Sequence, residues 1–444
     1  MQTPVQPNII GASDHPIKRE MIDDDALFVL RKLHSAGFSG YLVGGGVRDL
    51  YLGKSPKDFD ISTDARPGQI RRLFPNSRTI GRRFRLVQVF FKKGKIIEVS
   101  TLRSLSEHDL DGPEAVLAPN NTYGTLDQDA QRRDISINGL FYEIENQTLI
   151  DYVDGVADLD RSVIRIIGDP DKRITRDPVR MMRVIRHAAR NNFIIDTKSW
   201  QAVIRNSTHL SLCPPSRLRD EALKDIYSGV SNQWFELAIS AGIFTELFKI
   251  YGDILYQHLP NGLSCQEQLS LLFRTIDKYN NHYVASGRHR QPDYFFLALI
   301  LIPWATCHFD LVNARFKGAQ FFHFASQIRT ALHETIGEQL NLKRSTRQDI
   351  LNLLINLPTL IQHHHQGSWP KWLKRKSYFS HCSLLYYYFR EALESIPAPE
   401  APLAASRLAS SGQAKTTRRT QNSRRKGRPA FTNTKSGGIF GFKR

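Results

Sequence analysis

Apolar residues recur at a spacing of three through Leu27, Leu30 and Leu33, which predicts a helix over 25–36. The next stretch, "GFSGYLVGGGVRD", reads as a turn, a short strand over Tyr41–Val43 and a glycine turn into a second helix. Alternation of apolar and polar positions sets in at "DFDIS" and returns in "RLVQVFF" and "KIIEVST". These read as strands, the last two joined by a basic turn over Lys92–Lys95. Leu105–Gln128 has no period and carries Gly, Pro and Asn, so it reads as a surface loop. Leu149–Val153 and Val163–Ile167 are two further short strands. From Pro178 the period turns helical and stays so to about residue 395. The pattern therefore predicts an α+β head followed by an all-α body.

Composition adds one boundary. After "SIPAPEAPLAAS" the chain becomes rich in Pro, Ser, Thr, Lys and Arg, too poor in apolar residues to form a core, so a disordered tail is expected. Residues 401–444 hold eleven Lys and Arg and no Asp or Glu, within a net charge of +18 over 444 residues. A basic surface of this kind points to polyanions, nucleic acid first. No apolar run is long enough to span a membrane, and the N-terminus has no basic region followed by an apolar core. The four cysteines form no CxxC pair, which argues against a zinc site or a disulfide framework and for a reducing, cytoplasmic setting.

Candidate chemistry gathers in "VGGGVRDLYLGKSPKDFDIST", 43–63. On a strand, Asp58 and Asp60 point to one face about 7 Å apart, with Phe59 turned to the other. Two carboxylates on one face repel unless a cation lies between them, and Mg²⁺ is commonly held by one or two carboxylates together with substrate phosphates. Gly45 and Gly46, beside Gly44, allow backbone N–H groups close to phosphate oxygens, and Arg48 adds a bidentate phosphate donor. Taken alone, paired aspartates also suit a solvated edge strand, and a glycine triplet suits a plain turn. Together they are what nucleotidyl transfer requires.

This segment closely resembles the signature of the class II template-independent nucleotidyltransferases, the family of bacterial poly(A) polymerases and tRNA CCA-adding enzymes. "IIEVSTLR" (96–103), "DAQRRDISINGLFY" (129–142), "DPVRMMRVIRHAAR" (177–190) and "PPSRLRDEALKDI" (214–226) match in the family's order. The resemblance covers about 15–230 and continues more loosely beyond. It implies a DNA polymerase beta-like nucleotidyltransferase head and an all-α neck, body and tail, with boundaries expected at 1–24 (N-terminal extension), 25–150 (head), 151–240 (neck with the nucleobase-recognition helix), 241–395 (RNA-binding body and tail) and 396–444 (disordered basic tail). It implies Asp58 and Asp60 as ligands of two Mg²⁺ ions, Asp134 as a third active-site acid, and Glu98 as a general base or a structural ligand. Arg133 and Asn138 would contact the nucleotide. Asp177 and Arg180 would read the base edge, with Arg183 and Arg186 facing nucleotide or phosphates. Asp177 before Pro178 also makes a good helix start, in which the aspartate only caps. The family usually has Glu where this chain has Arg176, which bears on strictness between ATP and CTP.

"IGRRFRLVQV" (80–89) resembles the poly(A) polymerases more than the CCA-adding enzymes, although Thr79 stands where an aliphatic residue is usual. The expected activity is transfer of AMP from ATP to RNA 3′ ends, single-stranded or tRNA-like. CCA addition to tRNA is the alternative within the family, and a catalytically inactive RNA-binding protein is the alternative outside it. The tract His363–His365 reads as a polar loop, "SLLYYYFREALE" (383–394) as core packing of a last helix, and "KWLKRK" (371–376) as a solvated basic turn. Deleting 401–444 should weaken RNA binding and flatten its salt dependence between roughly 50 and 200 mM, while single-nucleotide addition persists. Equal affinities at both salts with and without the tail would remove it as a tether.

Overall fold

A computed structural model describes residues 6–81, 85–104, 122–287, 289–365 and 369–398. The tail expected to be disordered, 401–444, lies outside these residues, as do most of the loop expected over Leu105–Gln128 and the Arg82–Phe84 part of the "GRRFRL" motif. The head is an eight-stranded mixed sheet in the order β1-β8-β7-β2-β3-β6-β5-β4. Its strands are β1 (Asn8–Ile10), β2 (Gly40–Val43), β3 (Asp60–Thr63), β4 (Ser77–Ile80), β5 (Leu86–Phe90), β6 (Ile96–Thr101), β7 (Leu140–Glu143) and β8 (Thr148–Asp151). β3 and β6 run parallel, and the other pairs are antiparallel. β1 lies in the N-terminal extension and pairs with β8 along the sheet edge, where the sequence pattern shows only an extended polar segment.

α1 (Asp24–Ser35) is capped by Asp23, whose carboxylate accepts from the Asp25 and Ala26 N–H groups, and it buries Leu27, Leu30 and Leu33. α2 (Gly45–Tyr51) and α3 (Pro67–Leu73) follow β2 and β3. α4 (Leu126–Arg132) takes up the end of the expected loop; Thr125 and Gln128 form a capping box at its start. Beyond α5 (Gly155–Asp160), the neck carries β9 (Val163–Ile164), α6 (Pro170–Arg176), α7 (Val179–Asn191), β10 (Ile194–Ile195), α8 (Thr197–Arg205) and α9 (Pro215–Ile226). β9 and β10 make a small parallel pair.

Five longer helices, Cys265–Ala285, Asp293–Phe309, Ala319–Leu332, Arg344–His365 and Phe379–Glu394, form the body. His363–His365 close the fourth of these rather than forming a loop. Tyr386, Tyr388 and Phe389 of the last helix are buried, and Lys371–Lys374 form a single short turn of helix. Asp293–Phe309 is buried from Phe295 to Thr306, which accounts for its apolar run. Among the described residues no helix is long and apolar enough to cross a membrane.

Pro303 interrupts the hydrogen-bond ladder of that buried helix. The Tyr251 hydroxyl meets the same turn, donating to the Ile300 carbonyl and accepting from the Trp304 N–H 3.3 Å away. Tyr251→Phe removes both of these hydrogen bonds, and should cost about 1–3 kcal/mol in denaturant unfolding. An unchanged midpoint would show that the helix closes its own ladder.

Candidate active site

β3 and β6 set the acidic wall. Their register places Asp60 beside Glu98. Ile97 and Val99 are buried while Glu98 and Ser100 line a cavity of about 700 Å³, as the two-residue period of a strand requires. Gln88 on β5 donates to Glu98 Oε1 at 2.9 Å. Desolvation and the neighbouring Glu98 and Asp58 carboxylates push Asp60 up to about 6, against the pull of Arg133. Asp58, Asp60 and Glu98 offer the hard oxygen donors that suit Mg²⁺. Asp58 itself precedes β3 and lines an adjoining cleft with Lys57, while Phe59 is turned into the core.

The glycine turn serves two purposes. Gly44, at φ +70°, ends β2 at the cavity wall, in a backbone conformation that favours glycine. A Cβ on Gly46 would sit 3.3 Å from the Asp58 carbonyl oxygen and 3.9 Å from Phe59 Cα, so glycine lets α2 lie against the strand that carries the aspartates. Gly45, Gly46 and Arg48 do not line the cavity. Arg48 is buried; its Nε and Nη2 donate to Asp49, and its Nη1 donates to Asn138 Oδ1 at 2.8 Å.

Cations form the facing walls. Among the described residues seven cationic and four acidic side chains line the cavity. Asp129 is fully buried and holds Arg132 at 2.6 Å and Arg133 at 2.9 Å, and the Arg133 guanidinium lies 5.0 Å from the Phe141 ring centre. Arg173 of α6 donates to the carbonyls of Arg132 and Arg133. Asp134 receives Arg180 Nε at 2.6 Å and Arg183 Nη1 at 2.5 Å. Burial would raise its carboxyl, but the two guanidiniums override that and hold it far below the usual carboxylate range. Asp134 thus lines the cavity while already engaged by α7.

Asp177 sits between α6 and α7, and its side chain caps neither helix. Its Oδ2 accepts from Arg217 at 2.8 Å, whereas its Oδ1 is buried with no protein partner. Such an atom is costly unless a donor reaches it. Arg186 turns away from the cavity altogether. It is buried against α9, with Nε on Asp225 at 2.5 Å and Nη1 on Glu221 at 2.6 Å. Arg103, Arg217 and Lys224 also line the cavity. The sequence reading quoted their motifs without giving them roles, and it passed over Asp129 in the same way.

Comparison with known proteins accords with this geometry. Residues 40–165 match the Poly A polymerase head domain, and residues 192–254 match the probable RNA and SrmB-binding site of polymerase A. Poly(A) polymerase I of Salmonella typhi is 39% identical over 302 residues, 66% of this chain and 63% of that protein. The chain therefore spans less than two thirds of that relative's length. A CCA-adding enzyme of Lactobacillus helveticus is 37% identical over 213 residues, 48% of this chain and 52% of the enzyme. Among solved structures, the Bacillus stearothermophilus CCA-adding enzyme in complex with CTP superposes with a TM-score of 0.60 at 21% identity, covering 88% of this chain and 82% of that one.

The Asp134 pairs have a pH signature. A carboxyl depressed by folding stabilises the native state fully above its unfolded value near 3.8, and the gain is lost as pH falls below it. Asp134→Asn should destabilise the protein by about 3 kcal/mol at pH 7. The gap in melting temperature from wild type should hold above about pH 4 and begin to narrow, without closing, as pH is lowered toward ~3. A gap that stays constant across that range would place the stabilisation elsewhere.

Proposed function

This chain belongs to the class II template-independent nucleotidyltransferase family, and we propose that it transfers AMP from ATP to the 3′ ends of RNA. The observation that carries this reading is that Asp60, Glu98, Asp177 and Arg180 line one cavity, with Asp177 Oδ1 left without a protein partner. The adenine amino group supplies the missing donor, and a guanidinium beside the carboxylate suits the ring nitrogen next to it. Arg180 lines the same cavity. Cytosine presents donor and acceptor in the same order, so CCA addition is the second reading, and Arg176 leaves the choice between the two bases to the surrounding contacts.

Arg133 and Asn138 would hold the sugar and phosphates, with Arg132, Arg183 and Lys224 adding charge along the triphosphate. Asp58 and Asp60 would hold Mg²⁺, which when bound neutralises charge on the reacting phosphates. The RNA 3′ oxygen forms a bond to the α-phosphorus, and the bond from that phosphorus to the α–β bridging oxygen breaks to release pyrophosphate. Glu98 would take the hydroxyl proton, with Gln88 holding its Oε1. A second cavity of about 530 Å³ shares Lys224 with the first and reaches Lys57, next to Asp58. Arg190, Arg290 and Tyr227 also line it, with Asp220 and Asp293 among them, and among the described residues its four cations and one aromatic ring suit the last nucleotides of a single strand.

The test is incubation with labelled ATP, Mg²⁺ and either oligo(A) or tRNA lacking its 3′ CCA. Processive extension of oligo(A) is expected. Addition of CCA to the tRNA alone would favour the second reading, and no addition to either would leave an RNA-binding protein. Asp58→Ala should lower turnover by about 100-fold or more, roughly 3 kcal/mol of transition-state stabilisation, with RNA binding retained. Unchanged turnover would remove Asp58 from the site.

A further inference from the structure

His187 lies on α7 seven residues beyond Arg180 and four beyond Arg183, so the three side chains share one face of the helix. Its Nδ1 is 3.2 Å from Arg48 Nη1, and its Nε2 is 3.4 Å from Asn138 Nδ2. A guanidinium only donates, so a bond to Nδ1 requires Nδ1 to accept and the ring proton to sit on Nε2. Nε2–H then faces the Asn138 amide nitrogen, also a donor, and these two do not bond. Arg48 Nη1 meanwhile donates to Asn138 Oδ1 at 2.8 Å. The Asn138 carbonyl is thereby fixed toward Arg48, and its amide hydrogens stay available to an acceptor oxygen in the cavity that Asn138 lines.

We propose that His187 is a positioning residue for the nucleotide: a neutral acceptor that sets Arg48 and, through Arg48, the orientation of the Asn138 amide. The proposal rests on the nucleotide-binding reading of the cavity. An imidazolium would turn a proton toward Arg48 and break the arrangement. Burial and the cations Arg48, Arg186 and Arg190 hold the ring neutral, its pKa well below the usual value, with Asp134 opposing them weakly.

Full-length His187→Leu, which loses the acceptor, is compared with His187→Asn, which keeps one near the Nδ1 position. Binding of Mg·ATP is measured by calorimetry, KM and kcat by primer extension, and integrity by thermal melting. His187→Leu should raise Kd and KM for ATP about tenfold, equivalent to roughly 1.4 kcal/mol. Its kcat should change little, and His187→Asn should stay within about threefold of wild type. Equal behaviour of the two variants, whether both weak or both unchanged, would overturn the proposal. Wild-type protein that binds no ATP would overturn the nucleotide reading and this proposal with it. Nitrogen NMR of the wild-type ring supplies a check that needs no variant. The Nε2–H tautomer with a titration well below the ordinary one is expected, and an Nδ1–H tautomer or an ordinary titration near 6.5 would also overturn it.

Discussion

The pairing of Asp134 with Arg180 and Arg183 is the constraint on which the cavity depends. Asp134 belongs to the head and directly follows Arg133; both arginines belong to the neck helix α7. One carboxylate held by two guanidiniums fixes the axial position of α7 against the sheet. That in turn decides where Asp177, just before the helix, stands relative to Asp60 and Glu98. The bond is not inexpensive to form, since all three groups give up water. It is strong because the geometry is doubly satisfied and because further pairs continue the network through Glu221 and Arg217 to α9.

That arrangement also explains which arginine faces where. Successive residues of an α-helix turn by about 100°, so a spacing of three falls short of a full turn by about 60°. Arg180 and Arg183 both reach Asp134, but Arg186 has drifted about 120° from Arg180 and meets Glu221 and Asp225 instead. His187, at a spacing of seven, returns to within about 20° of Arg180 and reaches the head. A spacing of three within a motif therefore separates the arginines by role.

Much of the architecture was legible because it rests on periodicity. The leucines of α1, the alternation of β5 and β6, and the change to a helical period after Pro178 each reflect burial of one face, which sequence spacing records directly. Of the paired aspartates, Asp60 stands on β3 and lines the cavity, whereas Asp58 lies before the strand and outside that lining, so the two do not share one strand face as their spacing predicts. β1 was not legible, because a three-residue edge strand at Asn8–Ile10 draws its stability from pairing with β8 rather than from its own pattern. α4 was hidden behind a stretch rich in Gly, Pro and Asn, although Thr125 and Gln128 carried its capping signal. In the site, the residue types were legible but not which atoms were already spoken for. Asp134 and Arg48 are engaged with partners distant in sequence, Arg180, Arg183 and Asn138, and no spacing along one strand reveals that, whereas Asp129 meets Arg132 and Arg133 at helical spacings of three and four.

The glycine triplet shows where a motif and its mechanism part. A run of glycine next to a helix start suggests backbone amides cradling phosphate, yet only Gly44 reaches the cavity. Gly46 suits the place where α2 crosses the Asp58–Phe59 backbone, since a Cβ there would meet the Asp58 carbonyl at 3.3 Å. The acidic pair thus lies against a packing contact made more than ten residues upstream. A side chain at 46 would require that contact to give by a few tenths of an ångström, on the same short helix that carries Arg48 and its hydrogen bonds to Asn138 and His187. The two ends of the cavity, one built from carboxylates and the other from an amide held by an arginine, are therefore coupled through a contact that involves no charge at all.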